Sequence, residues 1–317
     1  MKILITGITG LFGSYLAREF APMGEIHGFR RKNSSARLLE GSDFPVTWHE
    51  GDLSDIASLE EAMRGIDLVI HAAGKVSFDP KHEELLHEVN VKGTTHVVNA
   101  MLNSGVPKLV YVSSVSAIGR SAEQSRIDEN FKWVKSPLNT DYGVSKYLAE
   151  LEAWRGEQEG LELLVVNPSI LLGKIKDDRS STDIYQYVLE ERKYYPVGDL
   201  NYIDVRDAAQ QVRALVENNH WGERFILNNA RISYQEFFAE MAGVFGKKAP
   251  SRPLSGNLLN LVVFGSSILR KVGLSKVQLG KKSALLSQQK VFFDNAKVNR
   301  VLNPKYTSLK DTFLAAK

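Results

Sequence analysis

The residues best suited to chemistry are Tyr142 and Lys146, four positions apart in the segment YGVSK. Apolar residues follow at helical spacing, so the segment predicts the start of a helix, and residues four apart share one helix face. A free tyrosine has a pKa of about 10, which a neighbouring ammonium lowers by favouring the phenolate. We therefore expect Lys146 to lower the pKa of Tyr142 and make it a general acid or base near neutral pH. A solvated surface pair is the alternative.

Two further polar sites stand where a substrate or cofactor could meet them. Ser113 and Ser114 end the apolar run that begins at Val110, and a serine at the carboxyl end of a parallel strand can hold a substrate oxygen. A serine pair that only caps the next segment is the alternative. Asn90 lies inside a long predicted helix, where asparagine is unfavourable. It is expected to bond a specific partner, or else to be buried and merely satisfied.

The chain opens with KILITGITGLFG, in which an apolar run breaks into a glycine-rich turn and apolar residues resume at helical spacing. Gly7 permits a sharp turn, Gly10 lets the backbone approach a phosphate, and Gly13 allows close packing of helix on strand. Free N–H groups at a helix start suit a pyrophosphate. An ordinary glycine-rich turn is the alternative.

Apolar, β-branched runs alternate with helical patterns along the first half of the chain. Strands are predicted at Lys2–Thr6, Glu25–Phe29, Val46–His49, Leu68–Ala72, Lys108–Ser113 and Leu161–Asn167. Helices are predicted at Leu11–Phe20, Ser58–Met63, Glu83–Ser104 and Tyr142–Glu159. This alternation indicates an α/β protein with a doubly wound parallel sheet covered on both faces.

Composition limits the class of protein. The 317 residues suffice for about two domains, or for one large domain with an appendage. A net charge of +3, from 40 basic and 37 acidic residues, gives no electrostatic footprint for nucleic acid. The chain has no cysteine, which excludes disulfides, thiolate nucleophiles and cysteine-based metal sites, and no metal site is predicted. The opening apolar run is too short for a signal peptide, so cytoplasmic residence is expected.

Two later segments depart from the pattern. Lys174–Thr182 is charged and serine-rich, which is typical of a flexible loop. Residues 258–269 are mostly apolar, but polar residues interrupt them, and a transmembrane helix needs about 20 apolar residues. A helix that packs over a substrate cleft is predicted there, and an amphipathic helix on a membrane surface is the alternative.

Taken in order, the short motifs resemble the extended branch of the short-chain dehydrogenase/reductase superfamily. They are GITGLFG, GDL at Gly51–Leu53, HAAG at residues 71–74, VN at Val89–Asn90, SS at residues 113–114, YGVSK, NPS at Asn167–Ser169, Asp294–Lys297 and Leu302–Pro304. The resemblance implies a Rossmann domain over residues 1–168 and 201–228. It also implies a smaller, mostly helical substrate lobe over residues 169–200 and 229–317.

The resemblance implies a role for each matching residue. Tyr142 would give or take the proton, Lys146 would bind the nicotinamide ribose, and Ser114 rather than Ser113 would hold the substrate oxygen. Asn90 would support a proton relay or a backbone kink. The dinucleotide would lie against Gly7, Thr9, Gly10, Leu11, Phe12, Gly13, Asp52, Leu53, Ala72, Ala73, Gly74, Tyr142, Lys146, Pro168 and Ser169.

The end of the second predicted strand bears on the choice of cofactor. An acidic residue there would bind the ribose 2′-hydroxyl of NAD. The segment from Gly28 to Asn33 instead carries Arg30, Arg31 and Lys32 and no carboxylate. Guanidinium groups match a phosphate well, so NADP is predicted over NAD. A solvated basic turn is the alternative, with NAD as the cofactor.

The motifs also bear on the reaction. Val115-Ser116 stands where related dehydratases carry an Asp-Glu pair, and Leu200 stands where sugar-nucleotide epimerases carry an arginine. The segments at Asn201–Asp207 and His71–Pro80 resemble dihydroflavonol-4-reductase and 3β-hydroxysteroid dehydrogenase relatives. We therefore expect reduction of a ketone or aldehyde on a fairly apolar small molecule, or oxidation of the alcohol.

Two other functions stay open, namely a nucleotide-sugar epimerase with tightly bound NAD and a non-catalytic cofactor-sensing protein. The epimerase would need diphosphate-binding cations, for which Arg231 or Arg252 could serve. Val76, Phe78, Tyr185 and Tyr187 could line a substrate pocket or could equally be packing residues. The oligomeric state is open, and the resemblance offers a homodimer through the helices that contain Asn90 and Tyr142.

Overall fold

The computed structural model describes residues 1–174, 183–254 and 281–317. Its strands are β1 (Lys2–Thr6), β2 (Glu25–Arg30), β3 (Val46–Glu50), β4 (Leu68–His71), β5 (Lys108–Val112), β6 (Arg126–Ile127), β7 (Glu162–Pro168), β8 (Ile170–Leu172), β9 (Tyr194–Pro196), β10 (Asp199–Asp204), β11 (Glu223–Leu227), β12 (Ala230–Ser233), β13 (Arg252–Leu254) and β14 (Phe292–Phe293).

The α-helices of the same ranges are α1 (Leu11–Phe20), α2 (Ile56–Ala62), α3 (Glu83–Leu86), α4 (Gly93–Ser104), α5 (Val115–Ile118), α6 (Asp141–Gln158), α7 (Asp183–Leu189), α8 (Val205–Glu217), α9 (Tyr234–Phe245), α10 (Lys281–Leu286), α11 (Ala296–Leu302) and α12 (Leu309–Ala316). A π-helical turn, His87–Lys92, joins α3 to α4. Short 3-10 helices lie at Ala21–Met23, Arg37–Leu39 and Pro80–His82.

Seven parallel strands form the central sheet in the order β11-β7-β5-β4-β1-β2-β3. The chain builds outward from β1 to β3 on one side, then returns to build β4, β5, β7 and β11 on the other. The strand order therefore reverses between β1 and β4. Ligands of open α/β sheets bind beyond the carboxyl ends of the strands at such a point, so the topology places the crevice there. The predicted doubly wound parallel sheet is confirmed.

Both faces of the sheet are buried, which explains why its strands read as continuous apolar runs. Alternate strand residues such as Ile3 and Ile5 pack with α1 and α8 on one face. Residues such as Leu4, Tyr111 and Val165 pack with α2, α4 and α6 on the other. The sheet is thereby held as a rigid platform for the loops at its carboxyl edge.

The predicted elements lie close to the observed ones, with two differences. β1 and α1 have the predicted bounds, and the other sheet strands differ by about one residue at an end. The single helix predicted over Glu83–Ser104 is instead divided by the π-helical turn that contains Asn90. The seventh strand, β11, was not predicted, and it pairs with β7 at the edge of the sheet.

A second unit lies beyond the sheet. β10 pairs with β8 and β12 in a separate three-stranded sheet. A core of Tyr185, Phe237, Phe238, Met241 and Phe313 joins α7, α9 and α12. The division into a Rossmann domain and a substrate lobe at the bounds given above stays a prediction.

Two predictions fall largely outside the described residues. They are the flexible loop over Lys174–Thr182, of which only Lys174 is described, and the apolar stretch at residues 258–269. Within the three described ranges, no helix combines the length and the apolar character that crossing a membrane requires.

Candidate active site at the carboxyl edge of the sheet

The glycine turn forms the floor of the crevice between β1 and β4. Gly7 has a φ of +72°, and a Cβ at that position would lie 2.6 Å from the backbone nitrogen of Ala73. A Cβ on Gly13 would overlap the carbonyl oxygen of Gly7. The two loops can therefore approach this closely only because these residues lack side chains.

The other predicted dinucleotide contacts border the same crevice. Gly10 is the N-cap residue of α1 and has no side-chain cap, while Leu11 and Phe12 form the first turn. Phe12 is buried in the core, so it can offer a ligand its backbone only. Thr9 lies between Gly7 and Gly10 in the turn. Ala72 and Ala73 follow β4, and the backbone nitrogens of these two alanines donate to Thr6.

Asp52 and Leu53 follow β3 at the same edge of the sheet. The carboxylate of Asp52 accepts hydrogen bonds from the backbone and side chain of Ser54, at 3.0 and 2.8 Å, and these bonds lower its pKa. Leu53 packs partly into the core and its carbonyl meets the His96 ring. Asp52 is thus held as a carboxylate at the carboxyl end of β3.

The structure supports a dinucleotide at this crevice through an unsatisfied polar atom. Ser169 follows Pro168 at the end of β7, and its hydroxyl is buried without a hydrogen-bond partner among the described residues. Buried polar atoms are normally paired, so this hydroxyl fits a missing ligand atom. Together with the glycine turn, it makes the residues present compatible with a nicotinamide dinucleotide.

Tyr142 stands at the start of α6, whose N-cap Thr140 accepts a hydrogen bond from Gly143 at 3.0 Å. Its ring meets the ring of Phe78 edge-on, with centroids 5.9 Å apart. Burial raises the pKa of Tyr142 above its ordinary value, and a hydrogen bond with Ser114 opposes that rise. The expectation that Lys146 lowers this pKa is wrong for the described structure, because burial outweighs the favourable contacts and Lys146 is not among the groups that shift it.

Lys146 points from the same helix into the sheet and is 5% exposed. Its ammonium donates to the Tyr111 hydroxyl and to the Val112 carbonyl, both at 2.8 Å. Burial lowers its pKa to about 7, although the nearby Glu150 carboxylate works in the opposite direction. An ammonium has three donors, and no described residue takes the third.

The two serines after β5 have different surroundings. Ser113 is buried and donates to the Glu150 carboxylate at 2.6 Å. Ser114 is half-buried, caps α5 by accepting from the Ser116 backbone at 3.1 Å, and hydrogen-bonds to Tyr142. Only Ser114 is therefore directed toward the tyrosine.

Glu150 is a site residue that the sequence reasoning missed. It is 3% exposed and also accepts hydrogen bonds from Asn167 at 2.8 Å and Arg224 at 3.0 Å. It lies four residues after Lys146, so helical spacing alone could have placed it on the same face. Its carboxylate ties β5, α6, β7 and β11 together beneath the tyrosine and lysine.

Asn90 is buried, and its side-chain amide forms three hydrogen bonds. Its amide accepts from the Lys75 backbone nitrogen at 2.7 Å and donates to the Lys75 carbonyl at 3.0 Å and to the Ser145 hydroxyl at 2.9 Å. The residue lies in the π-helical turn, a feature that often marks a functional site. The side chain thus holds the loop after β4 against α6. The sequence analysis had allowed for a specific hydrogen-bond partner and for a backbone kink at this residue.

A chain of hydrogen bonds runs behind the crevice through His71. Its ring lies 2.6 Å from the Thr6 hydroxyl and 3.1 Å from the Thr94 hydroxyl, and Thr94 donates to the Asn90 carbonyl at 2.6 Å. Burial, with the charge of Lys146 as a lesser cause, lowers the pKa of His71 to about 3. The imidazole is therefore neutral at physiological pH.

At the other end of the crevice, the structure corrects one premise about cofactor choice. Arg30 lies 4.3 Å from the centroid of the Trp48 ring and 3.4 Å from the Glu50 carboxylate, which the neighbouring strand supplies. A carboxylate is thus present in space although it is absent from the local sequence. Arg31 and Lys32 are exposed and line an open pocket with Asn33, Ser34, Ser35, Gly51 and Asp52.

The residues suggested for a substrate pocket divide into two groups. Tyr185 is buried in the core of the second unit, and Tyr187 stacks on Phe238 with centroids 5.2 Å apart. Val76 and Phe78 are instead exposed, by 39% and 48%, on the loop that borders Tyr142. An apolar surface therefore adjoins the phenol.

The two arginines suggested for binding a diphosphate, Arg231 and Arg252, lie outside the candidate site described above. Arg231 is paired with Asp199 at 3.3 Å, and Arg252 is exposed in β13. Leu200, at the position where sugar-nucleotide epimerases carry an arginine, is buried in the core of the second unit. No described residue thus places a cation at that position.

Comparison with known proteins agrees with this geometry. The family model described as "NAD dependent epimerase/dehydratase family" matches residues 3–227. A Synechocystis protein named "Putative dihydroflavonol 4-reductase" is 29% identical over 98% of this chain and 92% of its own length. Cinnamoyl-CoA reductase 1 of Oryza sativa is 32% identical over 66% of this chain and 65% of its own length.

Solved structures show the same fold. The crystal structure of gox2253 superposes with a TM-score of 0.83 and 27% identity, covering 99% of this chain and 96% of that one. PA4631, a nucleoside-diphosphate-sugar epimerase from Pseudomonas aeruginosa, has a TM-score of 0.80 and 22% identity, covering 100% of this chain and 96% of its own.

Proposed function

Because the chain belongs to the NAD dependent epimerase/dehydratase family, an extended branch of the short-chain dehydrogenases/reductases, we propose that it is an NADPH-dependent reductase of ketones or aldehydes. The single observation that supports the proposal is the hydrogen bond between Ser114 and Tyr142, four residues before the buried ammonium of Lys146 on the same helix. The reductase names of the relatives support the direction of the reaction.

The bound cofactor would supply a hydride to the carbonyl carbon of the substrate. Ser114 would hold the carbonyl oxygen, and the Tyr142 hydroxyl would donate a proton to it. The raised pKa of Tyr142 favours reduction, because it keeps the phenol protonated at neutral pH. The uncommitted donor of Lys146 would bind the nicotinamide ribose.

The preference for NADPH is part of the proposal. Arg31 and Lys32 are exposed beside the pocket at the end of β2, and neither forms an ion pair within the described residues. A 2′-phosphate would pair with these two cations, in a pocket that the Glu50 and Asp52 carboxylates also line. Arg30 would contribute less because Glu50 already neutralises it in part.

The substrate is proposed to be a small molecule with an apolar part. Val76 and Phe78 expose apolar surface next to the phenol, which disfavours a wholly polar sugar. The buried Leu200 gives a nucleotide-sugar epimerase no cation for its diphosphate at that position. A homodimer through α4 and α6 is part of the same proposal.

The test is a screen of carbonyl compounds that follows NADPH absorbance, run with the unaltered chain and with Tyr142→Phe. The variant is expected to bind NADPH with unchanged affinity and to lose turnover at least a hundredfold. Tyr147→Phe is the matched control, since Tyr147 lies on the same helix and stacks on Trp133 at 4.5 Å. Turnover by Tyr142→Phe equal to that of the control would overturn the proposal.

A further inference from the structure

We infer that Arg120, which packs against the ring of Phe293, forms a binding site for an anionic group of the substrate, a carboxylate or a phosphate. The inference rests on the proposed function and narrows its substrate class to carbonyl compounds that carry such a group. Neither residue belongs to the catalytic set, and the sequence reasoning singled out neither.

The charge of Arg120 has no counter-ion within the described ranges of the chain. Its guanidinium carbon lies 5.2 Å from the centroid of the Phe293 ring, and Tyr234 is the ionisable group that acts on it. Among the described residues, no carboxylate pairs with it and no acceptor bonds to its side chain. Arg120 is half-buried, and a charge that is partly removed from water gains from an anionic partner.

The surroundings of Arg120 disfavour its charged form. Burial lowers its pKa to about 10, and the neighbouring phenol of Tyr234 only partly opposes this effect. The residue is half-buried and not fully enclosed, so a ligand can still reach its side chain. A planar guanidinium presents paired donors that suit a carboxylate or phosphate.

Arg126 gives a direct comparison. It lies six residues later, with its guanidinium carbon 5.7 Å from the centroid of the adjacent ring of Phe292. Arg126 is 66% exposed, yet it pairs with Asp294 at 2.7 Å. The more exposed arginine thus pairs with a carboxylate, whereas the more buried one has no such partner in the part of the chain that the structure describes.

The position of Arg120 connects it to the candidate active site. It follows α5, the single helical turn that begins at Ser114, so about 6 Å of helix separates Ser114 from the end of that turn. Its backbone nitrogen donates to Asn139 at 3.1 Å, and Asn139 immediately precedes the N-cap of the helix that carries Tyr142.

Two hydrogen bonds of its backbone hold Phe293, the ring next to Arg120, in place. The backbone of Phe293 is bonded to Asn201 at 3.1 Å and to Asn228 at 2.8 Å. Tyr234 begins α9, and its pKa is raised by burial and lowered in part by Arg120. Arg120 therefore packs on a ring that is held in place, while its guanidinium makes no hydrogen bond to a described residue and can bind a ligand.

The experiment measures binding of inorganic phosphate and of benzoate by calorimetry to the full chain saturated with NADPH, so that the cofactor occupies its own phosphate sites. The unaltered chain and Arg126→Gln are expected to bind at least one anion with equal affinity. Arg120→Gln should weaken that binding about tenfold or more, and Arg120→Lys by less. Binding of phosphate alone or of benzoate alone identifies the group.

A substrate pair provides a second readout. Para-carboxybenzaldehyde should have a lower KM than para-methylbenzaldehyde, and Arg120→Gln should remove that difference without changing kcat for the methyl compound. Anion affinity that Arg120→Gln leaves unchanged, or no anion binding by the unaltered chain, would overturn the inference. If Arg120→Gln lowers the melting temperature, the anion affinity of Arg120→Lys is the deciding measurement. An affinity in Arg120→Lys as low as that in Arg120→Gln would indicate that Arg120 has a packing role only.

The outcomes separate this inference from the proposed function. If no carbonyl compound is reduced, the reductase assignment fails, while a difference in phosphate or benzoate binding between the unaltered chain and Arg120→Gln still reports on Arg120. If reduction depends on Tyr142 but not on Arg120, the assignment stands and the anion site does not.

Discussion

The hydroxyl of Ser113 donates a 2.6 Å hydrogen bond to the buried carboxylate of Glu150, whereas its neighbour Ser114 bonds to Tyr142. Adjacent serines thus have separate roles, one in the packing beneath the site and one within it. This difference can be measured by the same substitution made at each position.

We expect Ser113→Ala to lower the free energy of unfolding by about 1.5–3 kcal/mol, because a buried bond to a charged group is lost. Its kcat should change little. Ser114→Ala should lower kcat/KM about a hundredfold and stability by about 1 kcal/mol, the usual effect of a lost cap. Urea unfolding and steady-state kinetics of the two variants test this, and equal losses of turnover would contradict it.

The pH dependence of kcat/KM should reflect Lys146. Its pKa in the free protein is about 7, and the ammonium form is the one expected to bind the ribose, so kcat/KM should fall as the pH rises through that value. Glu150 raises this pKa, so Glu150→Gln should lower it and move the fall to lower pH.

The matched control for that experiment is Glu152→Gln, because Glu152 lies on the same helix and pairs with Arg155 at 3.1 Å, not with Lys146. Its pH profile should coincide with that of the unaltered chain. A fall that stays at the same pH in Glu150→Gln would show that another group controls it.

Gly13 and Gly243 should respond in opposite ways to the same added methyl group. A Cβ at Gly13 would overlap the Gly7 carbonyl, so Gly13→Ala should destabilise the fold and abolish NADPH binding. Gly243 lies within α9 with nothing within 4 Å, so Gly243→Ala should stabilise by about 0.5–1 kcal/mol. Thermal unfolding with and without NADPH distinguishes the two effects.

Cofactor choice should depend on Arg31. Arg31→Gln is expected to raise the dissociation constant of NADPH about tenfold and leave that of NADH unchanged, because only the first carries a 2′-phosphate. Arg37→Gln is the control, as Arg37 is exposed a short way along the same loop. Fluorescence titration measures both constants, and tighter binding of NADH by the unaltered chain would refute the NADPH preference.

Much of the fold could be predicted because its determinants are local. The β1–turn–α1 unit has the predicted bounds, since an apolar run, three glycines and helical spacing specify it within about 20 residues. Strand β11 was missed because only its pairing with β7, more than 50 residues earlier in the chain, makes its short apolar run part of the sheet.

The site was predicted less completely because its partners come from other elements. Tyr111 reads as one more apolar strand residue, although its hydroxyl binds Lys146, and a buried tyrosine hydroxyl normally requires a partner. Glu50 reaches Arg30 only through the β2–β3 register. The pKa of Tyr142 was predicted in the wrong direction because helical spacing gives proximity but not burial.

The histidine chain behind the crevice limits where protons can go. Thr94 gives its only hydrogen to the Asn90 carbonyl, so His71 must donate to Thr94 through Nε2 and accept from Thr6 through Nδ1. The Thr94 hydroxyl and the His71 ring therefore each donate their one hydrogen to a neighbour within this wall. With a pKa of about 3, the imidazole does not take up a second proton at neutral pH. If Tyr142 donates a proton as proposed, the replacement would therefore not come from His71, which serves in this wall as a fixed hydrogen-bonding group and not as a proton carrier.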